Sequence, residues 1–487
     1  MGVETSTQLE RTLGLKEALM IGVGTMVGAG IFVLPGAAAA LTGPASSVAF
    51  VVAGGIAMLT ALSASELATA MPASGGPYHF INTGLGPLFG SIAGLGNWLG
   101  LAFATAFYAV GFGNYVAPLV ASLELNLGIV AAIPLTGPQI GGLAAASVFI
   151  AVNYLSTDST GDLQNVIVIV LLAILGVFMA LGATQVRLAE LTPFFPQGSG
   201  AGAILPTTAL VFVSYLGFAQ VATVAGEIKN PGKNLPRAMV GGVLLVTTIY
   251  AVSMLILLGV VPLDRIAGEG TAIAIGAQAI FGAFGVGIVG VGLLTFGGLL
   301  ATASSANASV LSASRINYAM GRDGLMDERL SEIHEQFSTP YRSIALTGAL
   351  ILVFIVAGKV NALAKAGSVL HLLVYGLLNV SLIVMRETEA MGYAPGFEVP
   401  GYPIVPALGA LLSFALIGFM DLQQILLAGA LVVGGVVWYF AYVRKRVEDT
   451  SALAQYRSPP PVEVEVDVEF DLDNIGSTPT EEAGVDD

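Results

Sequence analysis

The stretch GVGTMVGAGIF, residues 22–32, puts four glycines into nine positions of a long apolar run. Each glycine weakens a helix by roughly 1 kcal/mol relative to alanine, so a regular helix is poorly supported here. One interpretation is packing, because glycines spaced as Gly24 and Gly28 let neighbouring membrane helices approach closely. The other is an unwound segment at mid-membrane, whose free N–H groups can bind a carboxylate and whose free carbonyls can bind an ammonium group or a cation. This stretch alone favours neither interpretation.

A second stretch, VFVSYLGF at residues 211–218, interrupts another apolar run with β-branched residues, Ser214 and Gly217. The two stretches fall in the first and sixth apolar spans counted along the chain, which are corresponding members of two five-helix halves. Inverted-repeat transporters have broken helices at such positions, with the binding site at the interface of the repeats. Packing alone gives no reason for that placement, so the two breaks together predict a transporter.

Composition predicts whether this chain lies in water or in lipid. Of its 487 residues, 55% are hydrophobic and 10% are charged, with a mean hydropathy of +0.85. Soluble domains have about 25% charged residues. A chain with so few charges cannot cover a globule with polar surface, so we expect an all-α membrane protein bathed in lipid. Twelve apolar runs are long enough to cross ~30 Å of hydrocarbon. They are residues 15–40, 47–70, 88–120, 140–156, 163–184, 204–225, 237–261, 283–314, 342–358, 366–386, 403–420 and 424–443.

The basic residues predict the orientation of these spans. With both termini on the inner side, the inner segments carry fourteen of the 18 Lys and Arg residues, and the outer segments carry only Arg187, Arg265, Lys359 and Lys365. Cytoplasmic loops of membrane proteins carry such an excess. We therefore expect a multi-pass protein of the cell (plasma) membrane with both termini cytoplasmic, residues 1–12 forming the cytoplasmic N-terminus.

Residues 447–487 differ from the rest of the chain. Residues 448–487 contain twelve acids and one base, Arg457, and so account for −11 of the net charge of −14. High net charge with few apolar residues is typical of disorder, and we expect an acidic, mostly disordered cytoplasmic tail. The alternating residues 462–470 also fit a strand that pairs with the sheet edge of a partner. Because the chain has no cysteine, a disulfide-linked subunit is excluded.

Four short motifs, each at the end of a span, carry a resemblance to a known family. They are Gly28-Ala29-Gly30-Ile31-Phe32; Met71-Pro72-Ala73-Ser74-Gly75-Gly76-Pro77-Tyr78 after Glu66; Glu227-Ile228-Lys229-Asn230-Pro231 with Pro236-Arg237; and Ser312-Ala313-Ser314-Arg315 with Met320-Gly321-Arg322-Asp323-Gly324. Each motif is short, but all four in this order are specific. The chain resembles the permeases of the amino acid–polyamine–organocation (APC) superfamily over about residues 10–445.

The resemblance implies a transporter core at residues 13–386, built as a five-plus-five inverted repeat of residues 13–185 and 203–386. It implies broken first and sixth helices in this core and two additional helices at residues 403–446. It also implies alternating access of a small-molecule amino acid to a central site, with no cofactor and no nucleic acid partner.

The resemblance also implies a substrate site at the two breaks. The N–H groups of Ala29 and Gly30 would hold the substrate carboxylate. The α-ammonium group would lie on three carbonyls, those of Met26, Val213 and Leu216. Candidates for an aromatic gate are Phe212, Tyr215 and Phe218, and for each of them core packing or lipid contact is an equal alternative. Thr105 in span three is a further candidate, although inert packing is favoured for it.

A candidate sodium site follows from the same comparison. Sodium-coupled relatives of the wider fold use carbonyls of the broken first helix with a carbonyl and two hydroxyls of the eighth span. The matching groups here are the carbonyls of Gly24, Val27 and Ala301 and the hydroxyls of Ser304 and Ser305, oxygens that suit a hard cation. Small hydroxyl residues that only let helices pack are the alternative. Some family members carry instead a lysine in span five, but Leu171 is at about that position here, so proton coupling through this residue is disfavoured.

Charges inside the spans are few, and this bears on the substrate. Spans one, three, six and eight have no acid or base at mid-membrane, so a neutral amino acid is expected. Because backbone carbonyls also hold cations, an exchanger of cationic amino acids or polyamines remains the alternative, and a transporter-like membrane sensor is the alternative of another class. Glu66 and Glu227 are expected to belong to an inner network with Arg237 or Arg315 rather than to the substrate site. His371 is expected to be a hydrogen-bonded helix residue rather than a proton acceptor. A membrane enzyme lacks its catalytic cluster here, and the sequence does not specify an oligomeric state.

Overall fold

The computed structural model describes residues 11–72, 75–122, 135–155, 161–196 and 200–457. Within these ranges the regular secondary structure is helical apart from one isolated parallel bridge, between Leu13 and Ile228. The α-helices are α1 Leu15–Met26, α2 Ala29–Val33, α3 Pro35–Thr42, α4 Ser46–Ala70, α5 Pro77–Leu85, α6 Pro87–Ser122, α7 Gly137–Leu155, α8 Gly161–Ala183, α9 Ile204–Val211, α10 Gly217–Thr223, α11 Pro231–Val260, α12 Ala272–Gly282, α13 Gly287–Arg322, α14 Tyr341–Ala357, α15 Val360–Glu387, α16 Ile404–Ile417, α17 Leu422–Ala441 and α18 Ala452–Arg457.

Every predicted span overlaps at least one of these helices. Ten helical segments are long and apolar enough to cross a membrane, and the shorter apolar helices α14 and α16 cover predicted spans nine and eleven. The largest difference is at α13, which continues to Arg322, eight residues beyond the predicted end at residue 314. The apolar pattern predicts only the part of a helix that lies in lipid, and α13 extends past that part. The twelve-helix prediction is confirmed.

The peripheral helices expose apolar side chains. The exposed fraction is 58% for Val148 of α7, 57% for Val166 of α8, 61% for Leu411 of α16 and 63% for Val433 of α17. Apolar surface on this scale is unfavourable in water, whereas lipid tails solvate it. The outer faces of these helices are therefore the lipid-facing surface of a multi-pass membrane protein.

The order of helices repeats between the two halves of the core. Each half begins with a broken helix, and in each half a short helix, α5 or α12, comes shortly before the longest helix of that half. These longest helices, α6 and α13, both have 36 residues and pack extensively against each other. The five-plus-five order with two further helices is confirmed, although the two short helices were not predicted as separate elements.

Both ends of the broken first span are tied to the second half of the chain. At one end the Leu13 N–H donates to the Glu227 carbonyl (3.0 Å) and the Lys229 N–H donates to the Leu13 carbonyl (2.8 Å). At the other end the Gly268 N–H donates to the Gly36 carbonyl (2.8 Å). Backbone hydrogen bonds therefore connect both ends of this span to the second half of the chain.

Glu66 lies fully buried at the end of α4 and receives four hydrogen bonds. Arg386 at the end of α15 donates two of them (2.5 and 2.6 Å), the Tyr393 hydroxyl one (2.7 Å) and the Val399 N–H one (2.6 Å). Burial and the bond to Glu66 raise the pKa of Tyr393, which keeps its hydroxyl protonated. The predicted arginine partners of Glu66, Arg237 or Arg315, are wrong, because folding brings the end of α15 beside α4 from 320 residues away.

The start of the predicted tail is ordered. Asp449 accepts hydrogen bonds from the backbone N–H and the hydroxyl of Ser451 (3.1 and 2.6 Å), and α18 then packs against α5 and α15. Ser451 and Ala452 are buried there. Residues 458–487, including the alternating stretch at 462–470, lie outside the described residues.

Candidate functional site

The first span breaks after Met26. Helix α1 ends there, Val27 caps it, and Gly28 (φ −56°, ψ −125°) takes the chain out of helical geometry before α2 begins. Gly28 also packs against α13, since a Cβ built on it would lie 2.6 Å from the Ser305 Cβ. The predicted break is confirmed, and close packing occurs at the same glycine.

The sixth span loses its regular helix in the corresponding place. Helix α9 ends at Val211, residues 212–215 form a tighter 3₁₀ turn, and α10 begins at Gly217. A 3₁₀ turn bonds residue i to i+3 rather than i+4, so the change of helix type interrupts the regular pattern of backbone hydrogen bonds. The second predicted break is also confirmed.

The two breaks meet at Gly30 and Ser214. A Cβ built on Gly30 would lie 2.6 Å from the Ser214 Cβ and 2.7 Å from its Oγ, so only glycine permits this approach. The Ser214 hydroxyl is buried and has no hydrogen-bond partner within the described residues. An unpaired polar atom in a buried position is costly, and a ligand that bonds to it removes that cost. This contact is the centre of the candidate site.

The three carbonyls predicted to receive an ammonium group all accept hydrogen bonds from tyrosine hydroxyls. Buried carbonyls that leave a regular helix need such donors, because no water reaches them. A carbonyl oxygen has two lone pairs, so those of Met26 and Val213 can still accept a second hydrogen bond from a ligand, whereas Leu216 also accepts from the Ala219 N–H (3.2 Å). The pairs are Tyr250 with Met26, Tyr108 with Val213 (3.4 Å) and Tyr375 with Leu216 (3.4 Å).

Sequence reasoning missed these three tyrosines, although a signal for them was present. Tyr108, Tyr250 and Tyr375 lie inside predicted spans three, seven and ten rather than at their ends. Tyrosines of membrane proteins concentrate at the lipid–water interfaces, and a buried tyrosine hydroxyl usually has a partner. A tyrosine inside a span therefore indicates a polar group nearby.

Helix α15 supplies a second side chain to the sixth span. The Ser368 hydroxyl accepts from the Val213 N–H (2.9 Å) and donates to the Leu210 carbonyl (3.4 Å). One hydroxyl thus satisfies a donor and an acceptor at the break. Ser368 was not among the predicted residues, and together with Tyr375 it makes α15 a wall of the site.

Ala29 and Gly30 are the first two residues of α2. N–H groups at the start of a helix have no acceptor within that helix, and the helix dipole favours negative charge beside them. The structure therefore puts these two residues where a carboxylate could be bound. Their contact with a substrate carboxylate stays a prediction.

The three predicted gate residues are fully buried, which excludes the lipid-facing alternative. The ring centroid of Phe218 lies 5.1 Å from that of Tyr375, and the Phe212 ring lies 6.1 Å from the same tyrosine. The Tyr215 ring lies 5.5 Å from that of Tyr250. The three aromatic side chains thus contact two of the carbonyl-bonded tyrosines, Tyr375 and Tyr250, and their role as a gate stays a prediction.

Part of the predicted cation set comes together where α13 meets the first break. The Ser305 hydroxyl donates to the Thr25 carbonyl (3.2 Å), and a Cβ built on Gly28 would lie 3.2 Å from the Ala301 carbonyl oxygen. Val27 lies between Thr25 and Gly28 in the same segment. Three of the five predicted residues therefore belong to one helix contact.

Gly24 and Ser304 face a side chain that was not predicted, Gln164 of α8. The Ser304 hydroxyl donates to the Gln164 Oε1 (2.7 Å), and a Cβ built on Gly24 would lie 2.5 Å from the Gln164 Nε2. An uncharged amide thus lies between α1 and α13. The family resemblance put Leu171 at about the position of the span-five lysine. The side chain that the structure puts between α1 and α13 is Gln164, seven positions earlier.

Thr105 and His371 satisfy polar atoms within their own helices. The Thr105 hydroxyl donates to the Leu101 carbonyl (2.8 Å), and the His371 Nδ1 lies 2.9 Å from the Gly367 carbonyl oxygen. Both contacts agree with the packing interpretation rather than with a polar role. The side chains described above at the two breaks, which are hydroxyls, aromatic rings and the Gln164 amide, are uncharged.

Comparison with known proteins adds a family to this geometry. A family model described as amino acid permease matches residues 13–443. A branched-chain amino acid permease of Bacillus subtilis (strain 168) is 30% identical over 448 residues, which cover 90% of this chain and 94% of that protein. A methylthioribose transporter of the same organism is 30% identical over 465 residues, covering 90% and 95%. A serine/threonine exchanger, also of that organism, is 28% identical over 439 residues, covering 88% and 95%.

Proposed function

We propose, from the premise that this chain belongs to the amino acid permease family, that it moves a neutral amino acid across the cell membrane by alternating access. The family consists of transporters and not enzymes, and the chain crosses the membrane several times. One observation carries the proposal of a neutral substrate: the two breaks expose backbone groups and hydroxyls to each other, with uncharged side chains around them. A charged side chain of a substrate would find no counter-charge among those side chains.

The zwitterionic part of the substrate would use the backbone. Its carboxylate would lie on the N–H groups of Ala29 and Gly30. Its ammonium group would take the second lone pairs of the carbonyls of Met26 and Val213 and would lie near that of Leu216, which also accepts from the Ala219 N–H. The substrate side chain would then point toward the aromatic residues Phe212, Tyr215 and Phe218. The names of two relatives, a branched-chain amino acid permease and a serine/threonine exchanger, support a neutral class without selecting one side chain.

Sodium is the candidate coupling ion. It would bind between the carbonyls of Gly24, Val27 and Ala301 and the hydroxyls of Ser304 and Ser305. The contact of Ser305 with the first break supports this proposal, because a cation there would join α1 to α13. Both termini would lie in the cytoplasm, as the distribution of basic residues indicates.

Exchange without a coupling ion is the second candidate, and Gln164 favours it. Its amide accepts from the Ser304 hydroxyl and packs against Gly24, so an uncharged group already lies between α1 and α13 without any ion. One relative is named an exchanger, which agrees with this candidate.

The test is uptake of radiolabelled alanine, leucine, arginine and glutamate into proteoliposomes, with and without an inward sodium gradient. We expect uptake of alanine and leucine, stimulated by sodium and lost in Ser305→Ala. The matched control is Ser314→Ala, which removes another buried hydroxyl of α13 whose bond stays within that helix. Uptake of arginine in preference to leucine would contradict the neutral class. Uptake only into liposomes preloaded with amino acid, indifferent to sodium, would select exchange.

A further inference from the structure

A groove with only apolar side chains in its lining, apart from one indole N–H, runs along α17 where it packs on α6 and α15. Its volume is about 390 Å³, and its lining includes Leu95, Leu99, Leu370, Leu431 and Gly434. The exception is Trp438, whose indole N–H donates to the Leu325 carbonyl (2.8 Å). The groove therefore offers no polar group to a soluble ligand and can be filled only by hydrocarbon.

A second cavity of about 500 Å³ adjoins the groove and shares Met326 and Trp438 with it. Unlike the groove, it is lined by charged residues: two arginines, Arg329 and Arg342, and Asp327, whose Oδ1 accepts from the backbone N–H of Arg329. Arg342 forms an ion pair with Glu332 (2.8 Å), while the guanidinium of Arg329 has no ion pair or hydrogen bond in the described part of the chain. The combined space is apolar along its length and charged at one end, where the guanidinium of Arg329 is the cation without an ion pair among the described residues.

The dimensions match one leaflet of a bilayer. The groove extends along α17 from Leu427 to Trp438, eleven positions, which at ~1.5 Å per residue is about 16 Å. Half of a hydrocarbon core of ~30 Å is about 15 Å. The Trp438 ring stacks on Tyr442 (4.8 Å between centroids), and Trp and Tyr are enriched at the lipid–water interfaces of membrane proteins. The arginines therefore lie at the depth of the headgroups.

We propose that this space binds one phospholipid, with an acyl chain in the groove beside α17 and the phosphate on Arg329 and Arg342. Arginine binds phosphate oxygens through paired, charge-assisted hydrogen bonds, and Arg329 is free to do so. A second copy of this chain could also cover the groove, but its apolar helix would leave Arg329 without a counter-charge. With the orientation proposed above, the lipid belongs to the cytoplasmic leaflet.

The chain offers a matched pair of variants for the test. Gly434 lines the groove, Gly429 lies in the same helix outside it, and a Cβ built on either glycine meets no atom within 4 Å. Gly434→Leu therefore fills the groove without disturbing the protein, and Gly429→Leu is its control. The double variant Arg329→Gln/Arg342→Gln removes the phosphate ligands, and Lys445→Gln removes an exposed positive charge that does not line either cavity.

The measurement is native mass spectrometry of the full-length protein in neutral detergent with phosphatidylglycerol or with diacylglycerol of the same chains. We expect one phosphatidylglycerol retained per chain and no diacylglycerol. Retention should fall about tenfold in the double arginine variant and at least as much in Gly434→Leu, and it should be unchanged in both controls.

Three results would overturn the proposal. Equal retention by Gly434→Leu and Gly429→Leu would exclude the groove, and equal binding of diacylglycerol would exclude the phosphate contact. A dimer in detergent that Gly434→Leu dissociates would show that the occupant is a second copy of this chain. Because none of these readouts is uptake, failure of the proposed transport function would leave the lipid result unaffected.

Discussion

Three tyrosine hydroxyls complete the backbone hydrogen bonds of the two breaks at the scale of single residues. Their acceptors are the carbonyls proposed to bind the ammonium group of the substrate. Each carbonyl has a donor even without a ligand, so the breaks do not carry unpaired acceptors between transport cycles. The ammonium group of a bound substrate would donate further hydrogen bonds at this site. In a variant that lacks one of the tyrosine hydroxyls, it could supply the missing donor.

The prediction at this scale concerns Tyr108→Phe and Tyr375→Phe. Tyr108→Phe leaves the buried Val213 carbonyl without its donor and should destabilise the substrate-free protein by about 1–3 kcal/mol. Tyr375→Phe should destabilise it less, because the Leu216 carbonyl still accepts from the Ala219 N–H. Saturating leucine should recover most of this loss, because its ammonium group would supply the missing donor. The measurement is the unfolding free energy in detergent with and without leucine.

Tyr115→Phe is the matched control for these two variants. Its hydroxyl donates to the Phe32 carbonyl (2.5 Å), which is outside the proposed ammonium site. We expect the same destabilisation as in Tyr108→Phe and no recovery with leucine. If leucine stabilises all three variants equally, the carbonyls of Val213 and Leu216 do not bind the ammonium group.

At the scale of elements, the broken first span is the segment most closely tied to the other half. Its two ends bond to the segment after α10 and to the connection between α11 and α12. Access to the central site from one side requires the contact on that side to open. If the proposed alternating access operates, we expect the bridge between Leu13 and Ile228 to open in each transport cycle.

A disulfide between Leu13→Cys and Ile228→Cys tests this requirement. The chain has no cysteine, so the introduced pair has no competitor. Paired residues of neighbouring strands are close enough for a disulfide, which needs a Cα separation of about 4.4–6.8 Å. We expect oxidation to abolish leucine uptake in proteoliposomes and dithiothreitol to restore it, while either single cysteine has no effect. Full uptake by the crosslinked protein would show that this end of α1 does not move.

At the scale of the whole molecule, Glu66 joins parts that are far apart in the chain. Its four hydrogen bonds connect α4 of the first half with α15 of the second half and with the segment that leads to α16. The carboxylate is fully buried, and the exposed fraction of the Arg386 side chain is 19%. The buried Glu66 carboxylate thus links the two halves of the core and the segment that leads to the additional helices.

Glu66→Gln should therefore destabilise the fold strongly. Removing the buried partner leaves Arg386 with only the longer ion pair to the exposed Glu398 (4.0 Å), and we expect a loss of roughly 3 kcal/mol in unfolding free energy. The comparison is Glu332→Gln, which breaks the half-exposed pair with Arg342 and should cost about 0–1 kcal/mol. Equal losses in the two variants would mean that burial of Glu66 does not strengthen its pairing.

The amino-acid sequence by itself determined that the chain lies in a lipid bilayer, where its twelve spans are and where both breaks fall. These properties are local: apolar runs of membrane length and glycine or β-branched interruptions are read from neighbouring residues. Gly28 and residues 212–215 lie where the pattern predicted broken helices. The individual carbonyls of the breaks were named from the resemblance to the APC permeases, whose motifs are also local.

Only the tertiary structure decided which side chains reach these groups. Tyr250 meets Met26 across 224 positions, Gln164 meets Ser304 across 140, and Arg386 replaces the predicted partners of Glu66 across 320. Each helix presents several side chains of similar polarity, and their spacing along the chain does not tell which face packs inward. That choice depends on how the helices cross, because a buried polar group needs a partner at hydrogen-bond distance and the fold alone supplies it.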